Sequence, residues 1–218
     1  MDKAVYSLVL SEGVVAKVDK LAYSMGTSRS NLINQILAEY VSYETPEMRM
    51  REVLEYVGQL LGGRDSFQIT QGQSAGMLSA RSALAFKYNP TVKYSVELTR
   101  GGFPELGELR VSLRTQNSAL LLYMMQFYKL WMRVEARYMA DSESSAEDGR
   151  FTRRLRLRED AVKGELANKT LGELISAYIS AFDSALKAYF YNLNDPEKAA
   201  AETENAYRLY FRESGGAL

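Results

Sequence analysis

Ala4-Val5-Tyr6-Ser7-Leu8-Val9-Leu10 reads as one short strand with no second strand close to it in sequence. Ser11 then opens a helix, Gly26 closes it, and Thr27-Ser28-Arg29-Ser30 opens another. One strand and two short helices cannot bury a core alone, because so short a chain removes too little surface from water. An economical solution is a dimer that pairs two such strands as a ribbon, and a two-stranded ribbon fits the major groove of DNA.

Strand side chains alternate between faces, so Tyr6, Leu8 and Leu10 share one side and Val5, Ser7 and Val9 the other. In the first helix Val14, Val18, Leu21 and Met25 fall on one stripe. In the second, Leu32, Ile33, Ile36, Leu37, Tyr40 and Val41 do so. Tyr6, Leu8, Leu10, Val18, Leu21, Leu32, Ile33, Ile36 and Leu37 are therefore the expected dimer core. Ser28 is a good N-cap, and the free N–H groups of the turn that it opens form an anion site with the helix dipole.

The segment Tyr6 to Val41, YSLVLSEGVVAKVDKLAYSMGTSRSNLINQILAEYV, resembles the ribbon-helix-helix family of bacterial and phage regulators, the Arc, MetJ and CopG types. The marks are the alternating strand, the Ser at the strand-to-helix junction, the Gly26-to-Ser30 turn and the apolar second helix. The resemblance implies base contacts from Val5, Ser7 and Val9, with Lys3 just before them, and a DNA phosphate clamped by Ser28, Arg29 and Ser30. The bland alternative leaves Ser28 as a cap and nothing more. The family often carries Arg, Lys, Asn, Gln or Thr at the outward strand sites. Here two valines suit thymine methyls and read G·C pairs poorly, which favours an A·T-leaning site or recognition of protein in place of DNA.

Charge tempers the expectation. Residues 1 to 45 set Lys3, Lys17, Lys20 and Arg29 against Asp2, Glu12, Asp19, Glu39 and Glu44. Phosphate contacts supply most of the affinity of DNA-binding modules, which are normally basic. Cooperative dimers, or basic residues elsewhere in the chain, would have to compensate.

The whole chain of 218 residues balances 27 basic against 27 acidic residues and has neither Cys nor His. No disulfide framework exists, the usual zinc, nickel and copper ligands are missing, and so are the His- and Cys-dependent catalytic devices. That argues against a nickel-sensing regulator and for a chain with no metal and no cofactor. No signal peptide is visible, and the most apolar window, Ala119 to Trp131, is too short to span a bilayer and includes Gln126 and Lys129. A cytoplasmic protein is expected.

Thr45-Pro46 marks a boundary, since proline disfavours helix at the residue before it. A helix from about Glu47 to Leu61 follows, ended by Gly62-Gly63. Residues 64 to 76 read as loop with one short strand at Phe67 to Thr70, and Met77 to Tyr88 is ambiguous between helix and strand. Val92, Tyr94, Val96 and Leu98 alternate with polar residues, as do Leu109, Val111 and Leu113, around a Gly/Pro loop: a hairpin with one buried face. Its polar face carries Lys93, Arg110 and Arg114 against Glu97, and is either solvated or open to an anion. A helix from Asn117 or Ser118 to about Ala140 is apolar nearly all round, hence central in a core. Asp141 to Gly149 reads as an acidic linker. After it come Arg150, Arg153, Arg154, Arg156 and Arg158, either an auxiliary nucleic-acid contact or a solvated arm paired with its acidic neighbours. A capping box at Thr170 to Glu173 and the Asp195-Pro196 pair open two final helices.

No phosphate-binding loop, dinucleotide fingerprint or nucleophile elbow is present, and neighbouring carboxylates such as Glu202 and Glu204 sit in charged surface contexts. The expected fold is mainly α. A ribbon-helix-helix module over residues 1–45 is followed by a connecting helix over 46–63. An α-rich α+β domain over 64–218 then carries the 92–114 hairpin and a C-terminal helical hairpin. The expected function is non-catalytic: a sequence-specific DNA-binding transcriptional or plasmid copy/partition regulator, acting as a homodimer or cooperative pair of dimers on double-stranded DNA. The alternative is an antitoxin-like or scaffolding protein that uses its first module mainly to dimerise, its C-terminal domain being open to a protein partner.

Overall fold

The computed structural model describes residues 5–71, 76–101, 103–158 and 168–218. They form two compact units, divided between Met48 and Arg49.

In the first unit, residues 5–11 belong to no helix or strand. Its regular elements are helices: α1 (Glu12–Ser24), α2 (Arg29–Tyr40) and the start of α3 (Pro46–Gly62). Ser11 has extended backbone angles at the head of α1, and Gly26, with φ +61°, lets the chain leave it. α1 packs on α2, with Ala22, Leu32 and Ala38 buried. The Thr45 hydroxyl accepts from the Met48 N–H at 3.2 Å, and Pro46 takes the first helical position, where no N–H is needed.

This overturns the ribbon-helix-helix expectation for the chain. The alternation through Tyr6, Leu8 and Leu10 suits a strand, but a ladder also needs a neighbouring backbone, and the described residues of the first unit include no strand. The first regular element is the helix α1, not a strand. The mainly-α expectation also gives way to α+β, because the second unit is built on a large sheet.

That sheet is six-stranded and antiparallel: β1 (Phe67–Gln71), β2 (Met77–Ala83), β3 (Thr91–Leu98), β4 (Glu105–Leu113), β5 (Ser144–Glu147) and β6 (Arg150–Arg156), in the order β1-β2-β3-β4-β6-β5. The 92–114 region forms the β3–β4 pair, Val92 facing Leu113 and Leu98 facing Gly107. Met77 to Ala83 resolves to strand. The stretch expected to be an acidic linker supplies β5 and the turn into β6. Its Ser and Glu residues carry no apolar period, so only pairing with β6 makes it a strand.

One sheet face is apolar: Leu78, Ala80, Val92, Tyr94, Val96, Leu109, Val111, Phe151 and Leu155 are buried there. α4 (Ser118–Tyr138) and α5 (Asn168–Tyr191) lie against it, and the Phe182 ring of α5 packs 4.9 Å from Phe151 and 5.0 Å from Trp131 of α4. α6 (Pro196–Ser214) packs on both helices, with Tyr207 5.1 Å from Trp131. Asn117 caps α4 by accepting from the Ala119 and Leu120 N–H groups, and Asp195 caps α6. α3, expected as a connector, places Val53, Leu54, Val57 and Leu61 in this core, with Gly58 close to Ile69 and Leu78. The opposite sheet face is polar and largely exposed.

Candidate nucleic-acid interface

In the first unit, residues 5 to 10 are all exposed, Val5 and Val9 completely so. Val5, Ser7 and Val9 are thus accessible, while Lys3 lies outside the described residues. Ser28 is the N-cap of α2: its hydroxyl accepts from the Asn31 N–H at 3.2 Å. Arg29 and Ser30 are exposed beside it. Arg29 is not idle, since its guanidinium forms a two-pronged ion pair with Asp19 of α1, the second bond 2.6 Å long. A phosphate at this helix start would share Arg29 with that carboxylate.

Of the residues expected in a dimer core, Leu32 is buried and Val18 and Ile33 are half-buried. Tyr6, Leu8, Leu10, Leu21, Ile36 and Leu37 are exposed. The first unit thus carries apolar side chains on its exposed segment and on both helices that the single chain leaves uncovered.

The five arginines do not form one basic arm. Arg150 to Arg156 is strand β6, whose alternation sends Arg150, Arg154 and Arg156 outward and Arg153 inward. Arg154 pairs with Glu143 and Arg156 with Glu105, each at 3.3 Å. Arg154, Arg156 and Arg158 also line a cleft of about 340 Å³ with Asp141 and Glu143. Arg153 is 2 % exposed and bonded to Glu135, so it takes no part in a surface interface.

Sequence reasoning passed over the polar centre that holds Arg153. Its Nε donates to Glu135 Oε1 at 2.7 Å, one terminal nitrogen donates to the Leu218 oxygen at 2.9 Å, and its guanidinium lies 4.4 Å over the Tyr178 ring. Tyr178 donates to the other Glu135 oxygen and accepts from the Trp131 indole N–H at 2.8 Å. Burial opposes the Arg153 charge, but the oxygens of Tyr178, Glu135 and Tyr210 outweigh it and raise its pKa. A second group joins buried Tyr94 and Asp183 to half-buried Lys187: the Tyr94 hydroxyl and the Lys187 ammonium donate to Asp183 at 2.9 and 2.6 Å. The signal in the sequence was Glu135, the one carboxylate of the helix Ser118–Tyr138, four residues after Trp131. The Arg153 side chain is 2 % exposed and Asp183 is buried, whereas Lys187 keeps about a third of its side chain in water; both groups tie helices to the sheet.

Burial raises the pKa of Tyr94, Tyr128, Tyr178, Tyr207 and Tyr210 above its ordinary value, with Asp183 adding to the effect at Tyr94 and Glu135 at Tyr178 and Tyr207. Unfolded phenols lose their proton near pH 10 while the folded ones keep it, so the unfolded state binds fewer protons and stability falls as pH rises above about 10. Each of these tyrosines costs about 1.4 kcal/mol per pH unit in that window. Of the fifteen tyrosines, the last five equivalents of tyrosinate absorbance are expected to appear together with loss of the helical circular-dichroism signal; all fifteen phenolates forming with the helices intact would contradict it.

Among the described residues no group of three or more Asp and Glu residues is placed to hold a metal ion, and no helix is long and apolar enough to cross a membrane. No protein-family model, curated protein or solved structure matches this chain.

Proposed function

We propose that the chain is a sequence-specific DNA-binding regulator that acts as a homodimer through its first unit, without catalysis. The observation that carries this reading is the uncovered apolar surface of that unit, on both helices and on the exposed segment before them. Exposed apolar residues on the segment and on both helices mark a contact surface. A second copy of the unit supplies a matching one, as twofold association requires.

The proposed DNA contacts lie on the exposed segment and at the start of α2. The exposed segment enters the major groove, where the Ser7 hydroxyl bonds a base edge and the Val5 and Val9 methyls meet thymine methyls. Lys3 adds charge ahead of them. The start of α2, with Ser28, Arg29 and Ser30, takes a phosphate. Selection from a pool of random duplex DNA at two salt concentrations tests the reading. An enriched A·T-leaning repeat is expected. Ser7→Ala and Val9→Asp are each expected to weaken binding to that repeat about tenfold while the dimer persists. Unchanged affinity in both variants would remove the base contacts assigned to the segment.

The pairing of Arg29 with Asp19, together with the acidic balance of residues 1 to 45, favours a second reading: an antitoxin-like or scaffolding protein whose first unit serves dimerisation alone. It predicts no enriched DNA and co-purification of one stoichiometric protein partner.

A further inference from the structure

The outer face of the sheet in the second unit carries a row of cations. Register places Gln68 opposite Arg81, Arg81 opposite Lys93, Lys93 opposite Ser112, and Ser112 opposite Arg150. Arg81, Lys93 and Arg150 are exposed, and among the described residues none of them has an ion-pair partner. Glu147, opposite Arg150, is the acidic residue of this row, whereas Glu97 and Glu108 further along the face are tied to Arg110. Beside the row runs a second one of Thr70, Ser79, Ser95, Arg110 and Thr152, mostly small hydroxyls.

Like charges directly opposite one another on a ladder are destabilising, so the Arg81–Lys93 pair is a cost that nothing in the sheet offsets. Outside counter-charge relieves it. Neighbouring strands lie about 4.8 Å apart, so the row spans about 14 Å from Arg81 to Arg150. Arg81 and Lys93 are neighbours, but Arg150 lies too far along the row for all three to converge on one small anion, whereas together they match a polymer that repeats its charge every 3.4 Å along each strand. A lipid surface fits less well, because interfacial binding needs large apolar side chains beside the cations and this face offers Ser and Thr.

We propose that this sheet face binds the phosphate backbone of duplex DNA, a second contact that supplies the charge the first unit lacks. The choice of DNA as the polymer rests on the proposed function; the cationic row does not.

The test uses the full chain. Arg81→Gln, Lys93→Gln and Arg150→Gln are combined, and Lys129→Gln, Lys198→Gln and Arg208→Gln make a control with the same change in net charge on exposed helical positions. Circular dichroism confirms that both fold. Affinity for a random-sequence duplex is measured against salt. The sheet variant is expected to lower the slope of log K on log salt by about 2.7, so that a fourfold rise in salt costs it about 40-fold less affinity than it costs the parent chain. The control is expected to keep the parent slope.

A sheet variant with the parent slope overturns the proposal, and so does a parent chain that binds no duplex at low salt. Binding to phosphatidylserine vesicles that the sheet variant loses, with the DNA slope unchanged, assigns the face to membranes and also overturns it. Ser7→Ala separates the two readings: lost sequence preference with the parent slope is the signature of the first unit alone. A shallower slope in the sheet variant, with no enriched sequence for the parent, leaves this face standing and removes the first unit's reading.

Discussion

Arg153→Met is expected to destabilise the second unit by about 3–5 kcal/mol, because it leaves the Glu135 carboxylate buried and uncompensated. Glu135 is wholly buried, and of its partners only Arg153 brings a positive charge; Tyr178 contributes a neutral hydroxyl. The substitution also frees the Leu218 and Arg154 oxygens to which the guanidinium donates. Glu135→Leu alone should be costly for the mirror-image reason: a buried guanidinium keeps its charge. Combining the two removes both charges together and is expected to recover most of the loss, since apolar replacement of a buried pair is often neutral or better. Urea unfolding of the four proteins gives the double-mutant cycle directly. Additive losses would mean that the two side chains are not coupled.

Gly107→Ala is expected to cost about 3 kcal/mol or more, and to do so without touching the apolar core. Gly107 has φ +150°, a conformation that side chains rarely adopt, at the point where the β4 ladder shifts register. A Cβ there would lie 2.0 Å from the Glu97 oxygen and 2.8 Å from the Leu98 Cα, both backbone atoms that cannot swing aside. β4 is paired with β3 on one side and β6 on the other, so the strain enters the middle of the sheet. Gly101→Ala, in the preceding loop with nothing within 4 Å, is the matched control and should change stability by less than about 0.5 kcal/mol. Comparable denaturant midpoints for the two variants would contradict the close approach at Gly107.

Features governed by near neighbours were legible in the residues. Asn117 and Asp195-Pro196 start α4 and α6 because a cap needs only a side chain and the next turn's N–H groups. The β3 and β4 strands were legible because Val92, Tyr94 and Val96, and Leu109, Val111 and Leu113, repeat every second residue on a face that the helices cover. Helix α4 was legible as a central helix for the same reason, since residues such as Met124, Phe127, Tyr128 and Trp131 left it no large polar face.

Features that depend on a partner far away in the chain were not. Tyr6, Leu8 and Leu10 alternate as a strand would, yet alternation cannot supply the second backbone that makes a ladder. Arg150 to Arg158 looked like one cluster of charge, but β6 alternation and the buried Glu135, 18 residues earlier, divided it between core and surface. The row of Arg81, Lys93 and Arg150 was invisible because its members come from β2, β3 and β6 and meet only through pairing register. By itself the sequence determined the starts of α1, α2, α4 and α6, though not of α5, which begins at Asn168 ahead of the expected Thr170 cap, the central hairpin, the absence of Cys and His, and an N-terminal segment with more apolar side chains than it can bury. The tertiary structure decided which arginines face water, where Glu135 finds its counter-charge, and that the second unit rests on a six-stranded sheet. The division follows from range: caps and periodicity act within one or two turns, whereas ladders and buried ion pairs join residues whose separation in sequence carries no local signature.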